Sequence, residues 1–241
     1  MSDLENQFYN AGYFLIEGMK RAEHMSAEIL PESIYSLSTC ICDLHPPVAM
    51  LSWVGKQGFS PNEYQQRLGL SDEVFLEVIT KLDKFYEEQI FGFNSVFFQE
   101  NAAQEFAKTY LHKIENLKLF QAISPAQLTD QILRETQTET YTPDGFETVL
   151  LKKEVVEIDS SALLGYEIIV YDFGSCCSFI CNGLETDFQN NLGIKINSKG
   201  YISSLNDAGK AAEYCNLEST GAEEGYWFPV GMREIPLSTE S

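Results

Sequence analysis

The sequence predicts an α+β protein in two parts: an N-terminal all-helical bundle over residues 1–138 and a smaller α+β domain over residues 146–241. Three observations lead to this prediction. Apolar residues recur at helical spacing in the first part, and runs rich in β-branched residues follow in the second. A polar stretch with a Pro-Asp-Gly turn, residues 137–146, lies between them. The sheet is expected to be antiparallel or mixed, with helices on one face.

Six or seven helices are expected in the first part. The apolar stripe from Leu4 to Ala22 predicts the first of them. Three later starts carry an N-cap serine followed by proline or an acidic residue, at Ser60-Pro61, Ser71-Asp72 and Ser124-Pro125. The other helices are predicted near residues 31–44, 48–54 and 96–116. The first of these should end before His45-Pro46-Pro47, because a residue that precedes proline avoids the helical conformation.

In the second part the apolar pattern changes toward a period of two, which is typical of strands. Two helices interrupt it, and a turn is expected at Asn197–Gly200. Strands are predicted for residues 149–158, 163–172, 175–181, 194–196 and 226–236, and helices for residues 183–191 and 204–216.

The charge balance restricts the classes of partner. The chain has 36 acidic and 16 basic residues, a net charge of −20. Residues 1–140 and residues 141–241 each contribute −10, so the charge belongs to folded surfaces and not to an acidic tail. Excess carboxylate repels nucleic acid and anionic membranes and attracts basic proteins. We therefore expect no nucleic acid and no membrane partner. Simple solubility is the alternative explanation of the charge.

Residues 61–84 resemble a helix-turn-helix, but the acidic start of the second helix argues against DNA binding. That helix begins Asp72-Glu73 and adds Glu77, which would place carboxylates against DNA phosphates. Met1–Asn10 lacks the features of a signal peptide, and no run of 18 apolar residues occurs. Six cysteines in this length do not resemble a disulfide framework. A cytoplasmic protein with reduced thiols is expected.

Two cysteine groups are candidates for chemistry. Cys40-x-Cys42-x-x-His45 offers three zinc-type ligands, but on a helix its two thiols would lie about 200° apart. Cys176, Cys177 and Cys181 have no histidine in their half of the chain to lower a thiol pKa. Core packing is the preferred interpretation of both groups, and whether either has a chemical role stays open. No metal, no cofactor and no catalytic activity are predicted.

The C-terminal third, about residues 160–237, carries a resemblance. Gly165-Tyr166-Glu167-Ile168-Ile169, the run Ser178–Leu184, Leu192-Gly193-Ile194 and Gly200-Tyr201-Ile202 resemble the order of elements in small bacterial immunity proteins. Those proteins are paired with polymorphic or contact-dependent toxins. Members often have a His-Ser-Trp-like stretch where this chain has Cys177-Ser178-Phe179. The resemblance implies a toxin-neutralising binding protein and assigns no role to a particular residue.

Charge and resemblance together predict a non-catalytic acidic protein that binds a basic toxin domain, possibly a nuclease. Aromatic anchors such as Tyr226 and Trp227 beside Glu223 and Glu224 would supply affinity, although a core strand is the alternative for that segment. A regulatory module with another partner, or an enzyme with a cysteine site, are the other hypotheses, and the oligomeric state is open. The predicted partner-binding residues are Glu223, Glu224, Trp227, Asp172, Glu185 and Asp187.

Overall fold

The computed structural model describes residues 7–39, 48, 51, 61–136, 145–158, 162–172 and 175–237. The strands are β1 (Phe8–Glu17), β2 (Met19–Lys20), β3 (Ser33–Ile34), β4 (Phe91–Gly92), β5 (Val96–Phe97), β6 (Leu117–Pro125), β7 (Val155–Val156), β8 (Leu163–Asp172), β9 (Ser175–Ser178) and β10 (Trp227–Ile235). The helices are α1 (Pro61–Leu68), α2 (Asp72–Glu87), α3 (Glu100–Tyr110), α4 (Ala126–Thr136), α5 (Phe146–Leu150), α6 (Glu185–Leu192) and α7 (Leu205–Cys215).

One antiparallel sheet of eight strands organises the described residues. Its order is β4-β5-β1-β6-β10-β8-β9, and β7 pairs with the first residues of β1 beside the short strand β5. The central strands β1, β6, β10 and β8 have nine or ten residues each. A separate ribbon joins β2 to β3. The central strands of the sheet come from distant parts of the sequence, since β10 lies between β6 and β8.

The predicted N-terminal helical bundle is wrong. The segment expected as a first helix is the central strand β1, and the segment from residue 31 contributes β3. The sheet is covered on both faces, so β1 buries apolar residues at odd and even positions alike. A strand buried on both faces loses its alternating pattern, and its apolar residues then also match helical spacing.

Two faces of the sheet support three apolar clusters. Phe14, Phe120 and Phe228 lie on one face and pack with residues of α4 and α5. On the other face, Leu15 and Leu119 pack with α2 and α3, whereas Ile168 and Trp227 pack with α6 and α7. The helices of both sequence halves therefore share one sheet, and the expected boundary near residue 140 does not divide it.

Several local predictions are confirmed. Ser71 caps α2, since its hydroxyl accepts a hydrogen bond from the Val74 amide at 3.4 Å. The strand at residues 163–172, the helices α6 and α7, and the last strand lie where they were predicted. The strand expected over residues 149–158 is mostly wrong, because α5 extends to Leu150 and only Val155 and Val156 pair. The helix expected over residues 96–116 is the shorter α3. Most of the helix at 48–54 and of the linker at 137–146 lies outside the described residues.

Candidate partner-binding groove

At the candidate site, the first residues of β10 are paired with a strand on one side only. β10 pairs with β6 only from Gly231 to Ile235, but it pairs with β8 from Trp227 to Arg233. Pro229 lies where the pairing with β6 has ended, and it has no amide hydrogen to continue that pairing. Since β6 leads directly into α4, the start of β10 has helices α4 and α7 beside it on that side, while β8 stays paired on the other side.

Asn216, just after α7, occupies part of the missing strand's place. Its amide nitrogen donates to the Trp227 carbonyl at 2.9 Å, and the Trp227 amide donates to its side-chain oxygen at 2.8 Å. Backbone groups of alternate residues in a strand point to the same side, so Pro229 faces the same edge without a donor. The edge of β10 is thus closed to a further strand at both positions.

A groove of about 760 Å³ opens at this point between α4, α7 and the start of β10. Its lining is mixed in character, with apolar, amide and acidic side chains. The residues that line it are Leu128, Gln131 and Glu135 of α4, Gly209, Ala212 and Glu213 of α7, Asn216 and Leu217 after that helix, and Gly225, Tyr226, Trp227 and Pro229.

The groove is acidic on both helical walls. Glu135 of α4 and Glu213 of α7 both line it and are exposed, and the described lining includes no lysine or arginine. Tyr226 is half-buried and stacks on the Phe228 ring, with centroids 6.1 Å apart and an interplanar angle of 21°. Burial and then the Glu135 charge raise the pKa of Tyr226, against a lowering by Arg134. The ring of Tyr226 is therefore influenced more by the negative charge of Glu135 than by the positive charge of Arg134.

The predicted binding residues fall into two groups. Glu223 and Glu224 are exposed in the loop before β10, as a surface role requires. Trp227 is fully buried, and its indole nitrogen donates to the Glu223 carbonyl at 2.9 Å. It is thus a core residue that holds the acidic loop over the sheet, and not a surface anchor. The core-strand alternative describes its position.

The other three predicted residues are not brought together with these. Glu185 is buried at the start of α6, where its carboxylate accepts from the Ser26 amide at 2.9 Å. It therefore attaches the segment before β3 to the helix. Asp187 is half-buried in the same helix. Asp172 ends β8, and its backbone pairs with Ser175.

Sequence reasoning missed Glu135 and Glu213, because nothing in the sequence shows that α4 and α7 approach each other. It also missed a buried acid. Glu167 of β8 is fully buried, and its carboxylate accepts from the Ser36 hydroxyl at 2.5 Å and the Leu37 amide at 3.0 Å. Burial raises its pKa to about 7, while hydrogen bonds from Ser178, Ser36 and Leu37 oppose the shift.

The cysteines of the second part lie in or beside the core. Cys176 and Cys177 are buried on opposite faces of the sheet. Burial raises the pKa of Cys176 well above its ordinary value, so it stays a thiol and a weak nucleophile. Cys181 is half-buried, and its sulfur accepts from the Ser178 amide at 3.1 Å.

The described residues contain no group of three or more histidines, cysteines and carboxylates that could hold a metal ion. Cys40, Cys42 and His45 lie outside those residues. In the same part of the chain, every helix is too short or too polar to cross a bilayer. No family model matches this chain, and comparison with curated proteins and with solved structures gives no match.

Proposed function

We propose that this chain is a non-catalytic, acidic binding protein that neutralises a basic toxin domain in the cytoplasm. The observation that carries the proposal is the open groove, whose lining has an acidic residue on each of two helices and the aromatic ring of Tyr226. Concave surfaces with a few placed polar groups are typical of binding sites. The resemblance of residues 160–237 to immunity proteins supports a toxin domain as the partner.

The surface charge supports a basic partner. The chain carries 20 more acidic than basic residues. Several of its few lysines are already paired with carboxylates, including Lys118 with Glu234 at 2.9 Å and Lys210 with Asp207 at 2.8 Å. The remaining negative field accelerates encounters with a basic surface and disfavours acidic partners.

Co-expression with a toxin encoded beside its gene tests this function. Cells that produce the toxin should survive when the full chain is present, and the two proteins should co-purify. Continued toxicity together with the absence of a complex would refute the proposal.

The rate of association provides a second test. Between about 0.05 and 0.5 M salt the Debye length falls from about 14 Å to about 4 Å, so the association rate constant should decrease steeply. A rate that is independent of salt would contradict an electrostatically guided encounter with a basic partner.

A further inference from the structure

The geometry points to a specific occupant of the groove: an arginine side chain of the partner, stacked on Tyr226 between Glu135 and Glu213. This inference rests on the proposed function for the nature of the partner, and it adds the site and the recognised group. A cluster of carboxylates alone would not identify an occupant. Here the carboxylates line a groove of about 760 Å³ together with an aromatic ring and apolar side chains.

The aromatic surface favours a guanidinium group. Tyr226 stacks on Phe228, with ring centroids 6.1 Å apart, and its ring lines the groove. A guanidinium group is planar, stacks on aromatic faces and donates from several positions at once. The apolar side chains of Leu128 and Leu217 line the same groove, and Leu217 is 56% exposed. They offer a surface for the methylene stem of an arginine, which packs on apolar groups while its head stays polar.

The two carboxylates supply the charge complementarity. Glu135 projects from α4 and Glu213 from α7, so a cation in the groove is flanked from both helices. Arginine can donate to two carboxylates with separate N–H groups, which a lysine ammonium does with less directional preference. Arg134, also on α4, carries an opposing charge, and its influence on Tyr226 is opposite to that of Glu135.

The backbone in the groove excludes the main alternative mode of binding. A peptide could add to the exposed edge of β10 as an extra strand. Asn216 already satisfies the amide and the carbonyl of Trp227, and Pro229 has no amide hydrogen to offer. The occupant must therefore be recognised through its side chains, from a loop or a helix.

A peptide titration of the full chain tests the site without the natural partner. The probe is Ac-Gly-Leu-Arg-Leu-Gly-amide, and the matched probe has citrulline, the uncharged isostere, in place of arginine. The arginine peptide should shift the amide NMR signals of residues around Tyr226. The citrulline peptide should bind about tenfold more weakly, as expected for the loss of two exposed ion pairs.

Matched variants separate the groove from the general surface charge. E135Q/E213Q should weaken binding of the arginine peptide by about tenfold. E73Q/E77Q, which removes two exposed carboxylates from α2, should leave that affinity unchanged. R134Q should tighten binding by about twofold, because it removes the opposing charge. Equal weakening by both double variants, or equal binding of the citrulline peptide, would overturn the inference.

Charge reversal in the toxicity assay then distinguishes the inference from the proposed function. E135K/E213K should abolish protection while E73K/E77K preserves it, with circular dichroism showing that both variants are folded. If E135K/E213K still protects cells, the toxin binds elsewhere, and the inference fails while the function stands. If the unaltered chain does not protect, the function fails, and the peptide titration alone decides the assignment of the groove.

Discussion

Replacing Glu167 by glutamine should remove a specific part of the pH dependence of stability. Glu167 is fully buried, and its pKa is raised from 4.5 to about 7 in the folded protein. Between these two values the folded protein holds a proton that the unfolded chain has released. The free energy of unfolding therefore falls as pH rises through this window, and above about pH 7 the loss is complete.

The size of the loss follows from the two pKa values. At about 1.4 kcal/mol per pH unit, the interval from 4.5 to about 7 corresponds to about 3 kcal/mol. About 2 kcal/mol of this falls between about pH 5.5 and 8, a range that avoids the isoelectric point near 4.4. Glutamine has nearly the same shape but does not titrate, so the variant lacks the contribution of Glu167 to the pH dependence of the free energy of unfolding.

Urea unfolding followed by circular dichroism, at intervals across that pH range, measures the effect. The decrease in unfolding free energy with pH should be about 2 kcal/mol smaller in Glu167→Gln than in the unaltered chain. Glu73→Gln, which removes an exposed carboxylate from α2, is the control and should keep the original slope. Equal slopes in Glu167→Gln and the unaltered chain would refute the raised pKa.

Three further substitutions test the backbone arrangement by urea unfolding. Asn216→Ala should lower the free energy of unfolding by about 1–3 kcal/mol, because it leaves the Trp227 amide and carbonyl unpaired. The control is Asn206→Ala, which changes an exposed residue of α7, and a loss in Asn216→Ala no larger than in this control would contradict the prediction. Gly165→Ala should cost at least about 2 kcal/mol, because Gly165 has φ +140° and a Cβ there would lie 2.7 Å from the Ile202 carbonyl oxygen. Gly209→Ala on α7, where a Cβ meets open space, should instead stabilise the protein by up to about 1 kcal/mol. If Gly209→Ala lowers the free energy of unfolding as much as Gly165→Ala does, the positive φ of Gly165 is not the cause of its loss.

Local signals in the sequence were sufficient where they depend on neighbouring residues. The N-cap at Ser71 and the β-branched run of β8 correctly located a helix and a strand. The same reasoning failed at β1, where aromatic and aliphatic residues are buried on both faces and a register shift between Asn10 and Gly12 breaks the alternation. Helical and strand periods fit such a run equally well, and only the helices on both sides of the sheet decide between them.

The candidate site shows a second limit of sequence reasoning. Tyr226 and the exposed acids Glu223 and Glu224 could be selected from composition. The partners that form the groove, on α4 and α7, are separated from each other by about 80 residues of sequence. Their approach depends on the pairing of β6 with β10, which connects residues 119–123 to residues 231–235. No local pattern reports such a long-range pairing, so Glu135 and Glu213 could not be associated in advance.

The central position of β10 has a consequence for synthesis of the protein on the ribosome. β6 and β8 both leave the exit tunnel before β10, yet β10 is the strand that joins them. A nascent chain that stops short of residue 227 has two incomplete half-sheets with open edges and no groove. Folding is therefore a late event governed by non-local contacts, and we expect a chain truncated before residue 227 to lack the groove.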